Sequence, residues 1–221
     1  ENSTGWPDKK HLTTARDIAT MSAAIIREFP EHYTWYAEKV FTYNDIKQYN
    51  RNNLISKESG VDGLKTGHTE SAGYCLAASA YRSDMRLISV VLGTESKKAR
   101  ASTTKAILNY GFRFYESHTL YDEEEVISRP RVWKGEIDTL PVGLTESLAV
   151  TIPRGEYSKL DAIMDIDKDI EAPVSRGQQV GVVRISLGEE ELLSVPLVAL
   201  ESIGEGSLFQ IAKDYVMKML D

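Results

Sequence analysis

One cysteine stands in the 221 residues, Cys75, so no disulfide can form within the chain. Its place in the run Tyr74-Cys75-Leu76-Ala77-Ala78 suits a small buried apolar residue better than a reactive thiol. Histidine is equally sparse. His11, His32, His68 and His118 are scattered, and with one cysteine they show no metal-ligand spacing, so neither metal nor cofactor is expected. No apolar run approaches the roughly 20 residues needed to cross a bilayer. Basic residues are also in deficit: 26 Lys and Arg against 33 Asp and Glu leave a net charge of -7. That balance argues against a nucleic-acid partner, whose phosphates are neutralised by clustered lysines and arginines. There is no internal repeat and no low-complexity tract.

What is present centres on Val61-Asp62-Gly63-Leu64-Lys65-Thr66-Gly67-His68-Thr69. Glycines bracket a turn before a strand from Leu64 to Thr69, followed by apolar runs at 72–80 and 85–92 that read as a hairpin. Side chains alternate along a strand, which puts Lys65, Gly67 and Thr69 on one side and Thr66 and His68 on the other. Such a strand suits a peptide-like acyl donor. Lysine supplies fixed positive charge, threonine hydroxyls can hold a carboxylate, and glycine lets a substrate backbone come close. At a sheet edge the same strand could pair with an extended peptide.

Elsewhere, Thr13 or Thr14 reads as the cap of a helix carrying Ile18, Met21, Ile25 and Phe29, with Asp17 placed for a capping box and Pro30 past the end. Val40–Tyr43 reads as a strand. A helix is expected from about Ser96 to Tyr110, with Ala99, Thr103, Ala106, Ile107 and Tyr110 recurring at helical spacing. After Glu116 the pattern changes to short strands around Val126, Val132, 148–152, 162–164, 180–185 and 192–195, an all-β module. The tail places Leu208, Ile211, Ala212, Tyr215, Val216 and Met219 on one helical face, either an interfacial anchor or a helix docked on the β module.

Several segments together carry a family resemblance: residues 1–8, Arg51-Asn52-Asn53, Lys65 to Ala80, Met85 to Gly93, Gly111 to Glu116 and Thr151 to Gly155. In order and spacing they resemble the low-molecular-mass penicillin-binding proteins of the D-alanyl-D-alanine carboxypeptidase type, in which Lys-Thr-Gly accompanies Ser-x-x-Lys and Ser-x-Asn. The resemblance implies a partial α/β penicillin-binding domain of the serine β-lactamase-like transpeptidase class over 1–116. It implies a β-rich C-terminal domain over 117–205 and an amphipathic helix over 206–221. It further implies a serine hydrolase of peptidoglycan maturation that removes the terminal D-alanine of stem pentapeptides and is trapped by β-lactam antibiotics. The implied location is the periplasm, peripheral on the outer face of the cytoplasmic membrane through the C-terminal helix.

In that family Ser-x-x-Lys and Ser-x-Asn precede Lys-Thr-Gly, so both are expected on a missing N-terminal part of the same domain. No Ser-x-Asn occurs here, and Ser102-Thr103-Thr104-Lys105 follows Lys-Thr-Gly on a helix flank, where it reads as a coincidence. Without an activated serine this chain alone is expected to be inactive. By the resemblance Lys65 belongs to the catalytic group, and His68 contributes its backbone N–H as an oxyanion donor. Thr66, Gly67, Thr69, Arg100 and Arg51 would bind substrate. A guanidinium at position 100 suits the terminal carboxylate because it donates two parallel hydrogen bonds. Two alternatives remain open: a serine β-lactamase-like hydrolase, which normally lacks a trailing β module, and a non-catalytic truncated module that binds cell-wall peptides.

Overall fold

The computed structural model describes residue 2 and residues 5–218. The chain divides into two compact units, residues 1–116 and 117–221.

In the first unit, α1 (Ala15–Glu28) starts at a reciprocal cap. The Asp17 N–H donates to the Thr14 hydroxyl at 3.1 Å, and the Thr14 N–H donates to the Asp17 carboxylate at 3.0 Å. Pro30 opens a further helical turn, α2 (Pro30–Tyr33). Strands β1 (Val40–Tyr43) and β2 (Ile46–Tyr49) form an antiparallel hairpin across Asn44-Asp45, whose φ of 47° and 60° match the right-handed twist of paired strands. A short helix α3 (Leu54–Lys57) leads into β3 (Val61–Thr69), β4 (Gly73–Arg82) and β5 (Met85–Thr94), an antiparallel sheet in that order. α4 (Lys97–Phe114) follows, capped where the Ala99 N–H donates to the Ser96 hydroxyl at 3.0 Å.

The sheet lies between the two long helices. On one face Leu76, Ala78, Ala80 and Val61 pack with Leu54, Ile55 and, from α4, Leu108. On the other, Leu64 and Ala77 pack with Tyr33 and with Ile18, Ile25 and Ile26 of α1. α1 buries only part of the face its apolar spacing suggests, and α4 buries a different one. On α1 the inward stripe is Ile18, Ser22, Ile25 and Ile26, while Met21 and Phe29 are exposed. Ser22 can be buried because its hydroxyl donates to the Ile18 carbonyl at 2.7 Å. On α4 the inward residues are Arg100, Thr104 and Leu108, and Thr103, Ala106, Ile107 and Tyr110 face out. The helix also runs four residues past Tyr110.

A polar cluster fastens α2 to this sheet. The Tyr33 hydroxyl donates to Asp62 at 3.0 Å, and Arg86 donates to both Asp62 oxygens at 3.0 and 2.8 Å and to the Ser79 hydroxyl at 2.6 Å. Gly63 is required beside it, since a Cβ there would collide with the Tyr33 hydroxyl.

In the second unit, β6 (Tyr115–Tyr121), β7 (Val142–Gly143), β8 (Leu148–Pro153), β9 (Leu160–Ile166), β10 (Gln179–Leu187) and β11 (Glu190–Ala199) form two sheets. Their orders are β6-β8 and β7-β11-β10-β9. Val150, Ile152, Val183, Ile185 and Leu197 fill one core, and Val132, Leu140, Val142, Val174 and Val180 another. Val126 and Val132 lie in irregular backbone rather than in strands; Val132 is buried all the same.

The last element, α5 (Leu208–Lys218), docks on this unit by its polar side. Asp214, 5 % exposed, accepts from the Lys134 N–H at 2.7 Å and from Arg131 at 3.2 Å. Lys218 pairs with Asp169 and Glu171, both at 2.9 Å, and Lys134 also reaches Glu171 at 2.6 Å. Hydrogen bonds from Lys134 and then Lys218 hold the Glu171 carboxyl below its usual range, and Asp169 and Glu171 raise Lys218. Leu208, Phe209, Tyr215 and Val216 are left facing outward. Met219 lies outside the described residues. Among the described residues no helix is long and apolar enough to cross a membrane.

Burial, joined by the Asp62 charge, pushes the Tyr33 phenol up to about 12 against the partly opposing Ser79 and Arg86. The folded state therefore keeps a proton that the unfolded chain loses near pH 10, so this contribution is present below pH 10 and is lost as pH rises towards 12. Among the 11 tyrosines, Tyr33 is expected to lag in an alkaline tyrosinate absorbance titration as a step distinct from Tyr81, which its hydrogen bond to Asp84 also raises. Tyr33→Phe should remove that late step; an unchanged titration would place the buried phenol elsewhere.

Candidate functional site

Among the described residues β3 is an edge strand, paired on one side only, with β4. Residues directly opposite in an antiparallel pair share a face. Thr66 stands opposite Leu76 and His68 opposite Tyr74, whereas Lys65 stands opposite Ala77 and Gly67 opposite Cys75. Leu76 belongs to the core under α4, and Ala77 to the core under α1. The expected alternation thus becomes a division of the site between the two faces of the sheet.

On the α4 side, Arg51, Thr66, Gly67, His68, Tyr74, Lys97 and Arg100 line a cleft of ≈ 510 Å³. Arg100 enters it from the first turns of α4 and is 6 % exposed. Its Nη1 donates to the carbonyls of Cys75 at 3.3 Å and Gly67 at 3.4 Å, and its guanidinium lies 5.9 Å from the Tyr74 ring centroid. Its buried Nε has no hydrogen-bond partner among the described residues. Burial lowers the Arg100 pKa from its ordinary value, with Cys75 and Tyr74 acting in the opposite direction. The His68 ring lies against Tyr74, centroids 4.0 Å apart and 32° between planes.

Arg51 reaches the cleft from the segment before α3, where its neighbours are tied down. The Asn50 side chain donates to the carbonyls of Tyr36 at 3.2 Å and Glu38 at 2.9 Å and accepts from the Asn52 N–H at 2.8 Å. Asn52, buried, donates to the Gly63 carbonyl at 2.8 Å. The Arg51 side chain itself is exposed and makes no hydrogen bond or ion pair among the described residues.

Lys65 and Thr69 are not in this cleft. Lys65 is exposed, and its ammonium donates to the Thr66 carbonyl at 2.6 Å. The Thr69 hydroxyl accepts from the Ala72 N–H at 3.0 Å, closing the turn into β4, and borders a separate groove with Trp6, Pro7 and Leu12. Ser102 and Lys105 form no constellation either. The Ser102 hydroxyl donates to the Ala99 carbonyl at 3.0 Å, and Lys105 pairs with Glu58 at 2.7 Å. Sequence reasoning singled out neither Tyr74 nor Lys97 as part of a site. Tyr74 was legible from the hairpin register, which sets it opposite His68, and Lys97 from its place three residues before Arg100 on a capped helix.

Residues 1–96 match the D-alanyl-D-alanine carboxypeptidase family model, and residues 115–205 match that of the penicillin-binding protein 5 C-terminal domain. The chain is 41 % identical to D-alanyl-D-alanine carboxypeptidase DacC of Escherichia coli K12 over 208 residues, covering 93 % of this chain and 52 % of that protein. It is 41 % identical to DacA of the same organism over 210 residues, covering 94 % of this chain and 52 % of that protein. Among solved structures, penicillin-binding protein 5 from Haemophilus influenzae superposes with a TM-score of 0.81 at 41 % identity, covering 91 % of this chain and 59 % of that one. The chain therefore spans about half the length of the curated relatives it matches.

Arg100→Lys keeps the charge but places a shorter ammonium short of the Nη1 position that makes both carbonyl contacts, and loses the planar guanidinium beside Tyr74. Thermal or denaturant unfolding is expected to show a loss of about 1–3 kcal/mol. Unchanged stability would mean that the Gly67 and Cys75 carbonyls do not depend on the guanidinium.

Proposed function

The chain belongs to the D-alanyl-D-alanine carboxypeptidase family, and we propose from this that it serves peptidoglycan maturation as the peptide-holding half of a serine-type carboxypeptidase. The observation that carries the reading is the cleft itself: a cationic pocket with no acid in its lining among the described residues, beside a strand edge that those residues leave unpaired, with a hydroxyl and a buried guanidinium on one wall. A stem peptide ending in D-Ala-D-Ala would lie extended along β3 by main-chain pairing. Its terminal carboxylate would meet the Thr66 hydroxyl and Arg100, with Arg51 at the rim. Gly67 keeps that approach open. The His68 N–H would be one of two donors to the oxyanion of the tetrahedral intermediate.

The serine and its lysine base would come from a complementary N-terminal part, facing Lys65 on the other side of the strand. Lys65 would supply positive charge there, and Thr69 would border that side. Attack of the serine on the penultimate D-alanine carbonyl releases the terminal D-alanine and leaves an acyl-enzyme, which water hydrolyses. A β-lactam would follow the first step and persist at the second. On this reading the chain alone binds without turning over. A non-catalytic peptide-binding module shares that cleft and differs only in never meeting a complement.

Of the expected periplasmic, membrane-surface location, the outward apolar side of α5 supports the membrane-surface part. Leu208 and Phe209 are 87 % and 79 % exposed while the polar side is occupied by ion pairs, the arrangement expected of an interfacial helix.

The isolated chain is expected to form no covalent adduct with a labelled penicillin. Adding a polypeptide that carries the Ser-x-x-Lys and Ser-x-Asn part of a relative should restore labelling, and Lys65→Ala should abolish it. An adduct mapped to Ser102, or restored labelling indifferent to Lys65→Ala, would overturn the assignment. Separately, Leu208→Glu with Phe209→Glu should lower co-sedimentation with anionic lipid vesicles about tenfold or more, since two large apolar side chains are lost from the contact. Equal sedimentation would remove α5 from the membrane contact.

A further inference from the structure

Amid cations, a hydroxyl and a glycine, the cleft lining contains two rings, His68 and Tyr74. Tyr74 is the one that the sheet holds still. It sits on the middle strand, opposite His68 on β3 and opposite Thr94 on β5. The Thr94 hydroxyl donates to the Tyr74 carbonyl at 2.8 Å, so its backbone is tied to both neighbouring strands. Its ring meets the His68 ring with 4.0 Å between centroids, and the Arg100 guanidinium lies 5.9 Å from it. Arg100 is itself fixed, since its Nη1 donates to the carbonyls of Gly67 and Cys75. A tyrosine has only two side-chain torsions to restrain. With anchored groups against it, the ring stands as a rigid wall of the cleft.

We propose that Tyr74 is a specificity-determining residue: its ring is the wall against which the side chain of the ligand's C-terminal residue packs, and it admits only a small side chain there. This rests on the peptide reading above and adds which terminal residues the site accepts. With the terminal carboxylate at Thr66 and Arg100 and the scissile carbonyl at the His68 N–H, the Cα of the terminal residue is confined between those positions, over Gly67. A substituent on that carbon starts one bond from the carboxylate. It is therefore within reach of a ring that lies 5.9 Å from the guanidinium holding that carboxylate. The cationic and hydroxyl-bearing side chains of the lining lose hydration when covered by an alkyl group. The two rings are the surface that an alkyl group can cover without that loss. A methyl group can rest on Tyr74, whereas a branched side chain would have to push the ring against His68 and Arg100.

The test is calorimetric titration of the full chain with two peptides that differ only in the last side chain, N-acetyl-D-Ala-D-Ala and N-acetyl-D-Ala-D-Leu. The alanine-ended peptide is expected to bind about tenfold tighter, within the range by which packed sites separate side chains of different size. Tyr74→Val keeps a residue suited to a strand but removes the ring, and it should close the gap by raising affinity for the leucine-ended peptide. Tyr74→Phe should keep the gap, because the wall does not need the hydroxyl. Should Tyr74→Val not fold, Tyr74→Trp is the second variant, and its larger ring should widen the gap. Equal binding of both peptides by the unaltered chain would overturn the wall while leaving the peptide reading standing. Binding of neither would sink both. A gap unchanged in Tyr74→Val, including an equal loss for both peptides, would overturn the assignment to Tyr74, as would a gap unchanged in Tyr74→Trp.

Discussion

The pairing of β3 with β4 is the constraint on which the rest of the first unit turns. Because opposite residues share a face, the register that puts Thr66 against Leu76 and Lys65 against Ala77 assigns every neighbouring side chain to one layer or the other. One slip would exchange the layers, sending Lys65 towards Arg100 and Thr66 towards α1. The register is therefore held from several directions. Gly63 fits under Tyr33, Asn52 holds the Gly63 carbonyl, Asp62 is gripped by Tyr33 and Arg86, and Arg100 clamps the carbonyls of Gly67 and Cys75 across the pair. Most of these contacts are polar and partly or wholly buried, where losing one partner costs more than the bond itself contributes.

Such reliance on buried polar groups explains which features were legible from sequence. The cap at Thr14 and Asp17 is local chemistry, and the strand around Lys65-Thr66-Gly67 is bounded by glycines, so both can be read residue by residue. The inward faces of α1 and α4 are not local. A count of apolar residues favours Met21, Ile107 and Tyr110, but the sheet receives Ser22, Arg100 and Thr104, whose surroundings lie far away in sequence. β2 escaped notice, although β1 did not, for a compositional reason. Both are exposed throughout, but Val40-Phe41-Thr42-Tyr43 is β-branched and aromatic whereas Ile46-Lys47-Gln48-Tyr49 has a polar centre, and its turn, Asn44-Asp45, is what marks it.

At the cleft the pattern repeats. Alternation along β3 anticipated that Lys65 and Thr66 point apart, yet the consequence, that they serve separate spaces, appears only once α4 covers one face. Arg100 was legible by position. Lys97 and Tyr74 were not, because a helix-opening lysine and a strand tyrosine are ordinary in isolation and gain meaning from what stands across from them.

The docking of α5 has a bearing on entropy. A tail that becomes helical only at an interface must give up chain freedom when it arrives, which subtracts from the gain of burying its apolar side. Here Asp214, Arg131, Lys134 and Lys218 have already ordered the helix on a folded support, so that cost is met during folding. The outward side chains form a preorganised plate rather than a leash, and whatever surface they meet also meets a β module in one fixed orientation.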